Sequence, residues 1–483
     1  MAGEHKHTFF WHDYETTGID PARDRPLQFA GIRTDAAFNI IGEPMMLYCR
    51  PSEDVLPNPR ACLVTGITPQ TALREGVNEA EFIARIHAEL ATPGTCGVGY
   101  NSIRFDDEVT RYTLYRNFHD PYAREWQNGC SRWDIIDMLR LTRALRPEGI
   151  VWPKYDDGTP SLRLEDLTRA NGIDHGNAHD ALSDVYATIA VARLIKERQP
   201  KLFDYVLNNR GKRAVQAQLD VARMKPVLHV SSKYPTEWGN AALVAPVACH
   251  PTNRNSTLVW DLREDPTPLF ELSVPELRKL LFTRHDELPE GAPRIALKQV
   301  LANKCPIIAP ASLVKESAER LHIDGDVCRL HLQMLRNETG LAAKLADIFS
   351  ESPFESDADP DHMLYSGGFF SDHDRALMER VRNADPAELA ELDLPFQDAR
   401  LEEMLLRYKA RNFEYTLTED EALRWEEYRS RKLLQGEGGC YSLPQLFKDL
   451  NAIAQDPQLP DRDRHILEEL ALYAESIYPG EYL

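Results

Sequence analysis

Thr8-Phe9-Phe10-Trp11-His12-Asp13-Tyr14-Glu15-Thr16-Thr17-Gly18 is an apolar, β-rich run ending in two acids two positions apart. Side chains alternate across a strand, so Asp13 and Glu15 project from one face. Adjacent carboxylates repel, and such a pair stays ionised at neutral pH when a cation lies between its members. Hard divalent cations with oxygen ligands do this, magnesium being the usual choice where phosphates are also ligands. Taken alone, the pair fits a solvated strand end equally well.

Two further acidic clusters lie downstream. In Asn101-Ser102-Ile103-Arg104-Phe105-Asp106-Asp107-Glu108 a loop leads into a helix, and Asp106 is the candidate third ligand. Asp107 and Glu108 suit the simpler role of first-turn acids facing the helix dipole. The third cluster is Asn177-Ala178-His179-Asp180-Ala181-Leu182-Ser183-Asp184, at the start of a helix with apolar positions Leu182, Val185, Ile189, Ala192 and Ile195. Five helical residues turn through about 500°, so His179 and Asp184 cannot share a helix face. With Asp180 as N-cap, Asp184 sits one turn inside and His179 precedes the helix, a candidate general base.

Around these clusters residues 1–200 read as one α/β domain, with strands at Thr8–Glu15, Gln28–Arg33 and Glu43–Tyr48 and a helix near Glu79–Leu90. Residues 201–352 turn β-rich, with runs at Val227–Val230, Leu243–Val247 and Leu258–Trp260 that fit a small barrel or sandwich. The acidic, proline-broken stretch Ser350–Asp361 has linker composition. Residues 356–483 are helical, with amphipathic spacing at Asp372–Asn383, Ala387–Leu392, Ala399–Arg411 and Asp420–Leu434.

The whole chain is acidic: 56 lysines and arginines against 76 acids give a net charge of −20 over 483 residues. That excludes wholesale coating of a polyanion, which must instead meet a local basic patch. Eight scattered cysteines without a C-x-x-C pair fit reduced thiols rather than a disulfide framework or zinc knuckle. No apolar run reaches the length of a membrane span, so a cytoplasmic protein without membrane contact is expected.

Asp13-x-Glu15-Thr16-x-Gly18, Asn101-x-x-x-Phe105-Asp106 and His179-Asp180-Ala181-x-x-Asp184 resemble the three motifs of the DEDD-type 3′→5′ exonucleases, in the histidine branch. Thr65–Pro69, Arg104–Arg111, Asn171–Ile173, His250–Asn255, Asn303–Pro306 and Phe369–Asp372 extend the resemblance to the bacterial exonuclease I family over most of residues 8–415. The resemblance implies a ribonuclease H-like exonuclease domain, an SH3-like β-rich domain and a helical C-terminal domain. It implies processive removal of 5′-mononucleotides from the 3′ end of single-stranded DNA, in repair and recombination. Two Mg2+ ions, with Mn2+ able to substitute, would be held by Asp13, Glu15, Asp106 and Asp184. His179 would take the proton of the attacking water.

A single strand also needs cations and stacking platforms. The stretch from Arg111 to Arg146 carries seven arginines against four acids, with Tyr112, Tyr115, Tyr122, Trp126 and Trp133 interleaved. Arg111, Tyr122, Trp126 and Arg140 are its candidate strand contacts. Arg163 could hold a terminal phosphate, Arg254 and Asn255 the backbone, and Phe369 and Phe370 further bases. Thr65 and Ile67 match the family's terminal-base segment, although a turn before Pro69 explains them too. The family's partner is single-stranded-DNA-binding protein, met through its acidic tail, with Arg146 a candidate contact, and a monomer is expected. The catalytic residues do not distinguish sugars, so RNA trimming is the alternative reaction. A non-catalytic strand binder is the alternative class.

Overall fold

The computed structural model describes residues 7–176, 180–351 and 358–480. These residues form two compact units that cut across the linear divisions of the sequence. The first gathers residues up to Arg132, His175–Ile189 and those after 357; the second gathers Trp133–Asp174 and Ala190 onward to 351.

The first unit is built on a mixed sheet in which β1 (Thr8–Thr16), β2 (Pro26–Thr34), β3 (Met45–Tyr48) and β4 (Thr95–Gly99) run in the order β3-β2-β1-β4, and β5 (Ser131–Asp134) is the strand at which the first unit's opening stretch ends. β1 runs antiparallel to β2 and parallel to β4. Helix α1 (Glu79–Leu90) is capped by Asn78, whose side chain accepts from the Glu81 amide. Its Phe82, Ile83, Ile86 and Leu90 recur at helical spacing and pack on Phe10, Tyr14 and Phe29 of the sheet. The parallel pairing of β1 with β4 covers only Thr8 to Trp11. Asp13 and Glu15 therefore lie on the part of β1 that outruns this neighbour.

Helices of the C-terminal region follow the amphipathic pattern closely, at Asp372–Asn383, Arg400–Asn412 and Glu419–Gln435. The helix expected at 387–392 is instead a single 3-10 turn, Pro386–Glu388. The acidic stretch expected to be a linker ends in buried structure. Asp361, 1% exposed, meets Arg407 at 3.1 Å and Arg411 at 2.6 Å, and Arg411 also reaches Asp54 at 2.9 Å. Buried carboxylates are retained when paired in this way. Two more helices, Leu443–Ala454 and Asp461–Ser476, bury Leu446, Leu450, Ile466 and Leu470 against Leu56 and Cys62.

The second unit contains an antiparallel sheet of β6 (Val227–Val230), β7 (Ala241–Cys249), β8 (Ser256–Asp261), β9 (Leu297–Leu301) and β10 (Ile307–Pro310), ordered β10-β6-β7-β8-β9. Val227, Ala242, Val244, Val259, Val300 and Ile308 form its core with Val215 and Leu219. All eight cysteines are free, as their spacing implies. No helix among the described residues is long and apolar enough to cross a membrane.

Candidate active site

Where β4 stops, a side chain continues its work. The Tyr14 amide donates to Asp106 Oδ1 at 3.1 Å, so a carboxylate takes the backbone donor that a strand would otherwise satisfy. Asp106 opens α2 (Asp106–Arg116). The Thr110 hydroxyl, one turn on, donates to the Asp106 carbonyl oxygen at 2.8 Å and lies 3.0 Å from the Tyr14 hydroxyl. The first turn of this helix is thus bolted to the strand that carries Asp13 and Glu15.

Asp184 arrives on α3 (Ala181–Arg198). Asp180 behaves as the expected cap: its Oδ2 accepts from the Ser183 amide at 3.3 Å. Gln28 on β2, the Cα partner of Glu15, accepts from the Ala181 amide at 3.3 Å and sets the helix start against the sheet. One carboxylate oxygen each from Asp13, Glu15 and Asp184 lies within 4.8 Å of the others, all three residues being half-buried. His179 falls outside the described residues. Sequence reasoning passed over His175, whose Nε2 stands 2.5 Å from Asp184 Oδ1 with the ring 7% exposed. Its position four residues before His179 was the only local hint.

Burial, and then the charges of Asp184, Asp106 and Asp180, push Glu15 up to about 9. Burial, then Asp106, Glu15 and Asp184, hold Asp13 well above the ordinary carboxylate range. Acids so placed resist ionising together, and a divalent cation removes that penalty. The hard-oxygen donor set and its close spacing fit a divalent cation.

Asp107 and Glu108 do sit in the first turn of α2, and both are buried and paired with arginines there. Asp107 meets Arg124 at 2.7 Å and Arg132 at 3.2 Å, with all three at most 4% exposed. Glu108 accepts from Arg111 Nη1 at 3.0 Å, and Arg111 also grips Glu125 through two bonds of 2.7 and 2.8 Å. Arg116 is likewise buried against Glu79. The arginine surplus read as a groove for the strand is therefore largely consumed inside the fold. Counting charges along a segment cannot reveal that its acids lie within reach. Asp107→Ala would leave the buried Arg124 and Arg132 only Glu125 as counterion, at 3.9 and 3.2 Å and already shared with Arg111, an expected loss of roughly 3–5 kcal/mol, readable as a lower midpoint in denaturant unfolding.

Of the interleaved aromatics, Tyr115 and Trp133 are core, whereas Tyr122 is half-buried and Trp126 is 65% exposed. Tyr122 and Trp126 line a cavity of about 460 Å³ together with Phe369, Phe370, Phe118 and Met378. Phe369 is 88% exposed and stands edge-on to Tyr122 at 6.1 Å. Phe370 stacks on Tyr115 at 5.8 Å beneath the Arg400 guanidinium. Arg111 lies 5.2 Å over the Tyr122 ring, so it frames this wall rather than offering an open cation. Thr65 Oγ1 accepts from the Ile67 amide at 3.1 Å in the anticipated turn. Ile67, 6% exposed, packs on Leu27 and Ala72, so its side chain is core and not an open base contact.

The remaining candidates belong to the second unit. Arg140 is 9% exposed and paired with Asp137 at 2.5 Å. Arg163 is exposed, 5.7 Å over the Tyr155 ring, beside Lys154 and Arg169 in an open hollow. Arg254 is exposed and Asn255 half-buried in the turn joining β7 and β8, where Asn253 accepts from the Asn255 amide.

Family models match three consecutive parts of the chain: Exonuclease at residues 10–192, Exonuclease I SH3-like domain at 210–351 and Exonuclease I C-terminal domain at 358–477. Exodeoxyribonuclease I of Escherichia coli (strain K12) is 51% identical over 440 residues, 90% of this chain and 92% of that protein. The solved exonuclease I of Methylocaldum szegediense is similar at a TM-score of 0.93 and 54% identity, covering 98% of this chain and 99% of that one. A zinc-bound complex of the E. coli enzyme with single-stranded DNA is similar at 0.93 and 47%, covering 98% and 100%. A structure of SSB/exonuclease I in complex with the inhibitor CFAM gives 0.90 and 46%, with the same coverage.

Proposed function

This chain belongs to the exonuclease I family, and we propose from that premise that Asp13, Glu15, Asp106 and Asp184 carry the hydrolysis of single-stranded DNA from its 3′ end. The enzyme is an exodeoxyribonuclease, and its product would be 5′-mononucleotides. The observation that supports the site assignment is the convergence of Asp13, Glu15 and Asp184 from two distant segments.

Asp13, Glu15 and Asp184 would hold divalent metal, with Asp106 contributing to a second ion. Two magnesium ions bound there would stabilise charge on the attacking and leaving oxygens of the phosphodiester. Glu15 would also orient the attacking water. His179 would accept its proton, while His175 holds Asp184 in place from the loop. Tyr122, Trp126 and Phe369 would stack successive bases, with Phe370, held between Tyr115 and Arg400, forming the cavity floor beneath them, while Arg111 braces Tyr122. Thr65 and Ile67 would shape the end of the strand path, and Arg140, Arg163, Arg254 and Asn255 would contact its backbone. Digestion would be processive, and the three consecutive domains would be 1–200, 201–352 and 356–483. The protein would act in repair and recombination as a cytoplasmic monomer. SSB, the single-stranded-DNA-binding protein, would place its acidic tail at Arg146, which borders a cavity with Leu145, Pro200, Leu202, Tyr205 and Leu313.

Labelled DNA and RNA oligonucleotides, single- and double-stranded, incubated with magnesium or chelator, test this reading. Metal-dependent mononucleotide release from single-stranded DNA alone is expected. Equal digestion of RNA would favour the trimming reaction, and binding without release would favour a silent strand binder. Trp126→Ala and Phe369→Ala should each weaken strand binding by about 1–3 kcal/mol, the contribution of a base-stacking aromatic. Fluorescence anisotropy in chelator reads this without digestion, and unchanged affinity would remove these rings from the strand path.

A further inference from the structure

We propose that Tyr365 is a positioning residue that couples a base bound at the aromatic cavity to the setting of Asp106. The inference rests on the nuclease reading above and adds a residue to it.

The segment carrying Tyr365 is fixed at both sides. Asp361 is clamped by Arg407 and Arg411, and Phe370 is sandwiched between Tyr115 and Arg400. Between these anchors Tyr365 is 55% exposed, yet its hydroxyl reaches inward. It donates to Glu108 Oε2 and accepts from Arg111 Nη1 at 2.8 Å. Glu108 is the third residue of α2, two positions from Asp106, so it shares the turn that holds Asp106 against the Tyr14 amide.

The ring of Tyr365 faces the other way. It lies edge-on to Tyr112 at 6.0 Å and 6.5 Å from Tyr122, which lines the cavity. Arg111, the hydroxyl's second partner, stacks on the same Tyr122. A cavity wall and the first turn of α2 therefore share two partners, Tyr365 and Arg111. Packed, charge-paired elements move between discrete arrangements rather than deforming smoothly. A ligand biases such an element only through contacts that differ between the arrangements. A base stacked at Tyr122 has these contacts, whereas a strand too short to reach the cavity lacks them. Tyr365 thus links strand length to the geometry of the cleavage site.

The test is mononucleotide release from oligothymidylates of increasing length, comparing wild type with Tyr365→Phe, Glu108→Gln and the double variant. Tyr365→Phe keeps the ring and removes only the hydroxyl. In wild type, kcat is expected to rise once the strand reaches the cavity. Tyr365→Phe should lower kcat on long strands by about tenfold, the scale at which groups orienting metal ligands act, with KM nearly unchanged and a much smaller loss on the shortest strands. Glu108→Gln should behave alike, and the double variant should be no worse than either single one. The same fractional loss at every length, additive losses, no loss, or a wild-type rate independent of length would each overturn the coupling. A wild-type chain releasing no mononucleotide at any length would overturn the nuclease reading itself, and this inference with it.

Discussion

Asp184→Ala is expected to abolish mononucleotide release while leaving strand binding in place. Asp184 is the only member of the three-carboxylate group that comes from outside β1. Without it, Asp13 and Glu15 remain on one strand face with too few oxygens to hold a pair of ions. Charge stabilisation by bound metal is worth several kcal/mol, and each 1.36 kcal/mol is tenfold in rate, so a loss on the order of 10³-fold or more follows. The cavity walls Tyr122, Trp126 and Phe369 lie on other elements, so anisotropy should show near wild-type affinity in chelator. Cleavage at the wild-type rate would remove Asp184 from the site.

The second large effect is on pH and metal together. Glu15 titrates near 9 in the metal-free fold against 4.5 ordinarily, and Asp13 is raised in the same direction. Between those values the folded state binds more protons than the unfolded chain. Their contribution to stability is therefore complete below the ordinary carboxylate value and lost as pH rises through the raised one. Metal-free protein should melt at a lower temperature at about pH 9 than at about pH 5 on account of this pair. Divalent metal should reverse the trend, because it binds the ionised carboxylates and stabilises the fold by mass action, about 2.7 kcal/mol at a hundred times the dissociation constant. Thermal melts with and without chelator check this, and Glu15→Gln should flatten the chelated profile. A chelated melting temperature that is independent of the Glu15 substitution at every pH would contradict the linkage.

Local periodicity carried much of the architecture. The alternation that put Asp13 and Glu15 on one face, the Asp180 cap that placed Asp184 one turn inside α3, and the amphipathic helices at 372–383 and 419–435 all rest on short-range rules. Pairings across long stretches of chain were hidden. Arg124, Arg132 and Arg111 read as a basic run, but their partners Asp107 and Glu125 reach them only once the chain around α2 is folded. Asp361 sat in a linker-like stretch because nothing nearby announces Arg407 and Arg411. Within the site, His175 was missed for the same reason: its contact with Asp184 is made by a loop, where no periodicity applies. Ile67 was legible as a turn neighbour, and its burial against Leu27 was not.

Anomalous diffraction from crystals soaked in manganese tests most directly whether these acids form a metal cage. Peaks bounded by Asp13, Glu15 and Asp184, with Asp106 facing the second, are the expected result. A map with manganese bound elsewhere and nothing among these carboxylates would contradict the account.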